Sequence, residues 1–299
     1  MLLTILTPTY NRMDLIKDLF ESLKSQTSKN FEWLVVDDGS TDCTWELLST
    51  FAADADFRIR RIRKENGGKH TALNTGIAEI KTELTFIVDS DDELTPDAVE
   101  QIEFYYEKYR NNKEIGCFSF LRRSKSQGIL LQMPEDEYIG FYIVERIRKE
   151  RPGDMAEVFY THALQEFPFP VFEGERFLSE DVVWIPLGRK YKTLYLNRAI
   201  YLFDYLDGGL TRSDKRNKLL SPLGSMMRGK QLMNSECGLK VNIKGAIIYG
   251  CYDIERKKQK KRLPLCLKMS GFDLLLIKMV LPIAYWYHRK WVREARRSQ

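Results

Sequence analysis

A short apolar run, a polar loop and a segment of helical spacing recur four times in the first 110 residues, and this alternation constrains the fold more than any other feature. Runs at 2–6, 31–36, 57–62 and 84–88 read as strands. The first is followed by a helical pattern through Ile16, Leu19, Phe20 and Leu23, and the second by one through Trp45, Leu47, Leu48 and Phe51. Strands alternating with helices specify a parallel sheet whose faces the helices cover. The expected class is therefore α/β, a Rossmann-like, mostly parallel sheet flanked by helices. Its polar loops fall at the carboxyl ends of the strands, where open α/β sheets bind ligands.

The fourth loop is the most unusual. Residues 86–92 read FIVDSDD, so an apolar strand runs straight into Asp89, Asp91 and Asp92. Three carboxylates this close repel one another unless a cation sits among them. Oxygen-only ligands at i, i+2 spacing suit Mg²⁺ or Mn²⁺, which in turn hold phosphate oxygens. The plainer alternative is an acidic turn leading into a helix that starts at Pro96. In the third loop, Gly67 and Gly68 permit a tight turn with amides near a helix N-terminus and Lys69 beside them, either a phosphate-facing site or a plain glycine turn. The first loop, Thr7-Pro8-Thr9-Tyr10-Asn11, lacks the G-x-G-x-x-G of a dinucleotide fingerprint, which disfavours an NAD site. Polar residues at four strand ends together imply a shared pocket.

From residue 115 the alternation loosens. Strands are expected at 115–121, 128–132, 155–162 and 192–203, a helix over 137–149 and a turn at 206–210. Phe167-Pro168-Phe169-Pro170 reads as a rigid aromatic loop, either core or the wall of an acceptor site, with core packing and lining at its tip the favoured reading. The segment FLSED ending at Asp181 reads as a capped helix start, in which Glu180 and Asp181 either favour the helix dipole or supply a general base. At 299 residues and 43% hydrophobic content the chain accommodates one large domain and an appended region, divided here as 1–212 and a helical extension over 213–299.

Charge is unevenly placed. The last 49 residues hold 13 Lys/Arg against 4 Asp/Glu, leaving residues 1–250 at −4 within a net +5. A mildly acidic body with a basic tail points to two surfaces with different partners and not to a nucleic-acid binder. Five scattered cysteines without a C-x-x-C pair argue against a disulfide framework or zinc site, and the first residues lack the features of a secretory leader. A cytoplasmic setting is expected. Within residues 274–287, Tyr285, Trp286 and Tyr287 gather at one end with Arg289, Lys290 and Arg293 beyond, the composition of a membrane-interface anchor. Across the wider apolar stretch 263–287, Lys268, Asp273, Lys278 and Pro282 interrupt, so a bilayer span is not expected. The alternative is a C-terminal helix pair packed on the rest of the chain.

Five motifs in order, TPTYNR, VVDDGSTD, GGKHTALNTG, FIVDSDD and FLSED, make residues 1–212 resemble the family-2 glycosyltransferases, nucleotide-sugar-dependent inverting enzymes of the GT-A fold. The resemblance implies that Pro8, Thr9, Asn11, Gly67, Gly68 and Asn74 belong to the nucleotide-sugar site. It implies that Asp38 accepts a hydrogen bond from the base and that Lys69 reaches base or diphosphate. Asp89 and Asp91 form the D-x-D pair, with Asp91 the direct ligand of Mn²⁺ or Mg²⁺ and Asp89 nearer the ribose. Asp181 matches the catalytic base, with Glu180 as second choice. Many relatives carry a histidine after the last strand where this chain has Asp207-Gly208-Gly209, which leaves metal ligation beyond Asp91 open. The implied activity transfers a sugar from a UDP-sugar to a glycan or lipid-linked acceptor in surface polysaccharide synthesis, at the inner face of the plasma membrane. Rival classes are a metal-dependent nucleotidyltransferase, disfavoured because TPTYNR is not a Gly-rich basic loop, and a non-catalytic nucleotide-sugar-binding protein, disfavoured by Asp91 and Asp181.

Overall fold

The computed structural model describes residues 1–151, 153–204, 214–269 and 271–297; the turn expected at 206–210 lies outside the described residues. In chain order the elements are β1 (Leu3–Thr9), α1 (Ile16–Lys24), β2 (Phe31–Asp37), α2 (Thr44–Asp54), β3 (Arg58–Arg63), α3 (Lys69–Glu79), β4 (Leu84–Ile87), β5 (Glu93–Leu94) and α4 (Ala98–Tyr109). There follow β6 (Ile115–Ser124), β7 (Gly128–Ile129), β8 (Tyr138–Phe141), β9 (Met155–Tyr160), α5 (Thr161–Gln165), α6 (Asp181–Lys190) and β10 (Lys192–Phe203). The last four are α7 (Asp214–Leu220), α8 (Pro222–Leu232), α9 (Leu239–Lys258) and α10 (Gly271–Arg297). The chain forms two compact units: Met1–Phe141 with Pro152–Pro168 and Leu187–Asp204, and Tyr142–Arg151 with Phe169–Pro186 and Tyr205–Gln299. Where the sequence suggests one boundary near residue 212, the second unit thus also draws two stretches from the middle of the chain.

The first unit is built on a ten-stranded sheet in which eight strands follow the order β3-β2-β1-β4-β9-β6-β10-β5, while β7 pairs with β6 and β8 with β10 off this path. β1, β2, β3, β4, β6 and β10 run one way, while β9 and the short β5, β7 and β8 run the other. β1 and β2 are buried at every position, as expected of central parallel strands covered on both faces. α1 presents Ile16, Leu19, Phe20 and Leu23 to this core, and Phe20 stacks on Phe51 of α2 with centroids 4.0 Å apart. β4 ends early: its last partner on β1 is Leu6, so Thr7, Pro8 and Thr9 continue alongside β2 alone. Pro8, which lacks an N–H, therefore sits where β1 has lost one neighbour.

One expected element is different. Residues 137–149, read as a helix, form β8 and then a short π-helical turn, Ile143–Arg148. β8 pairs antiparallel with Lys192–Tyr195 of β10, and this edge pairing takes up its backbone groups in place of helical bonds. Gly140 suits it, because a side chain there would meet the Tyr138 ring.

In the second unit, α8 and α9 cross at glycines. A Cβ on Gly229 would lie 2.8 Å from the Gly245 carbonyl oxygen, and one on Gly245 2.7 Å from that of Gly229. α10 packs on α9 through Trp291 stacked on Tyr252 and through His288 Nε2, 2.7 Å from Glu255 Oε2. Among the described residues no helix is long and apolar enough to cross a membrane.

Candidate active site

At the carboxyl end of the sheet three loops are tied together. Asn11 adopts a left-handed backbone (φ 51°), donates its amide to Ser40 Oγ at 2.9 Å and accepts the Thr41 amide on Oδ1 at 2.8 Å. It thus braces the loop after β1 against the loop after β2. Asp38 is buried. Its Oδ1 accepts from Lys64 Nζ at 2.7 Å and from the Gly67 amide at 3.0 Å, and its Oδ2 accepts from the Gly68 amide at 2.7 Å. Gly68, at φ 96°, occupies a conformation that a side chain would resist, and this aims both amides inward. The expected glycine turn is present, but its amides face Asp38 and not outward. Lys64 also donates to Thr71 Oγ1 at 2.9 Å, closing the cradle. Thr9 Oγ1 is buried with no hydrogen-bond partner among the described residues, and Pro8 is buried beside it in β1. Asn74 lies half-buried on α3.

The acidic loop begins as β4 stops. Lys69, at the start of α3, places Nζ 2.5 Å from Asp89 Oδ1. Desolvation works against the Asp89 charge, but Lys69, Arg122 and Arg12 outweigh it and hold the carboxyl below its ordinary range. Asp92 has other partners. Its Oδ2 accepts from the Tyr201 hydroxyl at 2.6 Å and from Arg122 Nη2 at 2.8 Å, while Tyr201 in turn accepts the Asp89 amide at 3.1 Å. Burial and the neighbouring Asp89 charge push Asp92 up to about 7 despite the guanidinium. Arg122 is fixed over the Tyr201 and Phe203 rings at 4.2 and 4.7 Å.

Asp91 differs from both. Its carboxylate has no hydrogen bond or ion pair to another side chain among the described residues, and burial together with Asp89 raises its pKa. Asp89, Asp91 and Asp92 each offer an oxygen, all within 4.8 Å of one another. A half-buried carboxylate without a side-chain hydrogen bond among the described residues, its charge only partly offset by Arg12 and Lys69, in an all-oxygen set, fits a hard divalent cation. Asp91 would hold the ion with Asp89 beside it, and Asp92 is already committed to Arg122 and Tyr201.

In the second unit, Asp181 is the first residue of α6. Its Oδ2 accepts from Arg228 Nε of α8 at 2.6 Å, and its buried Oδ1 has no hydrogen-bond partner among the described residues. Glu180 precedes the helix, and its main-chain carbonyl accepts the Val183 amide at 2.8 Å. The loop before it is anchored by buried Glu175, whose two oxygens accept the Leu223 and Gly224 amides at 2.9 Å each, at the N-terminus of α8, and Lys261 Nζ at 2.8 Å.

The description "Glycosyl transferase family 2" matches residues 4–156, from β1 into β9 and through the whole acidic loop. The chain belongs to this family. It is 29% identical over 234 residues to glycosyltransferase GlyA of Streptococcus pneumoniae, an alignment that takes in 70% of this chain but spans only 31% of that protein. Among solved structures it resembles Staphylococcus aureus TarS 1–349 in complex with UDP-GlcNAc, at 15% identity and TM-score 0.62, over 100% of this chain and 90% of the other. It also resembles the mannosyltransferase PcManGT of Pyrobaculum calidifontis in complex with GDP-Man and Mn²⁺, at 16% identity and TM-score 0.58, over 99% and 84%. These likenesses show the GT-A fold.

Within this family-2 chain, sequence reading missed Lys64, Arg122, Tyr201, Arg228 and Glu175. Lys64 stands just before the glycine loop, where its spacing to Asp38 gave no sign of contact. Tyr201 and Arg122 lie 109 and 30 residues from Asp92 and meet it because β10 and β6 pair with Tyr201 opposite Arg122. Such a meeting leaves no local pattern in the sequence.

Proposed function

We propose that the chain is an inverting glycosyltransferase that moves a sugar from a UDP-sugar to a hydroxyl of a glycan or lipid-linked glycan in surface polysaccharide synthesis. The observation that carries the reading is Asp91, a half-buried carboxylate beside Asp89 without a side-chain partner of its own among the described residues. Asp91, with Asp89 beside it, would hold Mn²⁺ or Mg²⁺, which when bound would neutralise charge developing on a leaving diphosphate. Lys69 brings a second positive charge to the same loop. The Asp38 cradle fixes the glycine turn that starts α3, so that the loops forming the donor site keep one shape. UDP as the nucleotide is supported by the UDP-GlcNAc complex of TarS, and the metal by the Mn²⁺ complex of PcManGT.

Asp181 takes the proton of the acceptor hydroxyl as it attacks C1, and Arg228 orients its carboxylate. One base and in-line attack invert the anomeric centre without a glycosyl-enzyme intermediate. The setting we propose is the cytoplasm, peripheral at the inner face of the plasma membrane where a lipid-linked acceptor is presented; no nucleic acid takes part.

Calorimetry of UDP binding with and without Mn²⁺ tests the reading. Asp91→Asn is expected to abolish the Mn²⁺-dependent part of the affinity in a folded protein. Unchanged Mn²⁺-dependent affinity in that variant sinks the proposed metal site.

A further inference from the structure

α10 is amphipathic in an unusual sense. Its inner line, Leu276, Ile277, Val280, Ala284, His288 and Ala295, is buried. Its outer line is also apolar: Phe272, Leu275, Met279, Ile283 and Trp286 are 66, 55, 70, 47 and 59% exposed. These five recur at intervals of three and four, so they form one stripe along the helix. Leu274, Leu281 and Tyr285 are exposed on the neighbouring line. From Phe272 to Trp286 the single charged residue among the exposed positions is Lys278, because Asp273 is half-buried. Of the interrupting charges seen in the sequence, Lys268 precedes the helix, Asp273 is half-buried, and exposed Lys278 lies on the neighbouring line with Leu274, Leu281 and Tyr285, so none falls on the stripe itself.

Beyond Trp286 the character of the same surface changes. Exposed Arg289, Lys290, Arg293 and Arg296 follow, and Lys290 Nζ lies 5.6 Å from the centroid of the Trp286 ring. The one carboxylate in this stretch, Glu294, is paired with Lys215 at 2.6 Å. A helix washed by water on its outer side carries polar residues there, and an exposed apolar patch of this extent marks a docking surface.

We propose that the outer face of α10 lies in the interface of an anionic phospholipid membrane, with Phe272, Leu275, Met279, Ile283 and Trp286 reaching the acyl boundary. Arg289, Lys290, Arg293 and Arg296 meet the headgroup phosphates. Charge complementarity selects this occupant over a second copy of the chain. Among the described residues the exposed face of α10 presents no unpaired carboxylate to meet four cations, whereas an anionic leaflet supplies that charge. Trp and Tyr at the junction between apolar and basic residues match the level at which amphipathic rings settle in a bilayer. The proposal deepens the membrane setting given under the proposed function and rests on it only for its purpose, since vesicle binding is measured apart from nucleotide binding.

The test is co-sedimentation of the full chain with vesicles of phosphatidylcholine alone and of phosphatidylcholine mixed with phosphatidylglycerol. Binding to the anionic vesicles is expected to be at least about tenfold tighter. The double variant Met279→Glu/Ile283→Glu alters two exposed side chains, so it is expected to keep the circular dichroism and melting temperature of the parent and to lose binding at least about tenfold. The triple variant Arg289→Gln/Lys290→Gln/Arg293→Gln is expected to lose the preference for phosphatidylglycerol. A parent chain that ignores both vesicle types, or a double variant that binds as well as the parent, overturns the proposal. So does a parent that dimerises in solution, separates on Met279→Glu and stays off vesicles, because the face is then an interface between copies. Binding of UDP without binding of vesicles refutes this inference alone; binding of vesicles without UDP refutes the functional reading and keeps this one.

Discussion

Three aspartates within four positions do two kinds of work. Asp92 is structural: it neutralises Arg122 and accepts from Tyr201, and all three are largely removed from water. Asp92→Ala strands a buried guanidinium and is expected to cost about 3 kcal/mol of stability or more, seen as a lowered denaturant midpoint. Asp91→Asn has the opposite character. Folding raises the pKa of both carboxyls, which opposes the folded state at neutral pH, but Asp91 has no side-chain hydrogen-bond partner to strand among the described residues, so its removal is expected to leave the midpoint unchanged or slightly higher. If both substitutions destabilise equally, the division of labour between them is wrong. The same logic applies to Asp181, where Asp181→Asn preserves shape but not proton acceptance. Turnover with a verified acceptor is expected to fall by about 10² to 10⁴-fold, with donor affinity kept within a few fold. Glu180→Gln is the matched control, expected to cost much less, and a reversed pair of effects would move the base by one position.

At the scale of elements, length and small residues decide what is possible. β4 has four residues against seven in β1, and its early stop releases the chain into the acidic loop while β1 carries Pro8 and Thr9 further along the sheet edge. The loop geometry is thus a consequence of where β4 ends. In the second unit the crossing of α8 and α9 depends on Gly229 and Gly245, because each lies against the backbone of the other helix. Backbone cannot move aside as a flexible side chain does. Gly245→Val is expected to cost about 2 kcal/mol or more and to lower the melting temperature of the chain. A melting temperature equal to that of the parent would show that the helices separate without penalty.

At the scale of the whole molecule, residues 1–250 carry a net −4 and contribute to both units, whereas the basic surplus of the last 49 residues belongs wholly to the second. The sequence alone determined the alternation of strands and helices through residue 110, because burial on both faces of a parallel strand leaves a continuous apolar run that local reading detects. It also singled out the acidic loop, since like charges crowded at a strand end repel and persist only where a counter-charge offsets them. The helix over 137–149 was misread because its decisive partner, β10, lies some fifty residues away in sequence, and edge pairing with a distant strand overrides local periodicity. Only the tertiary structure decided which carboxylates are spent. Asp38 holds the glycine loop, Asp92 holds Arg122 and Tyr201, Glu175 holds the start of α8, and Asp91 remains without a side-chain partner among the described residues. The charge of a residue is written in the sequence, whereas the compensation of that charge depends on neighbours that the chain brings together only by folding.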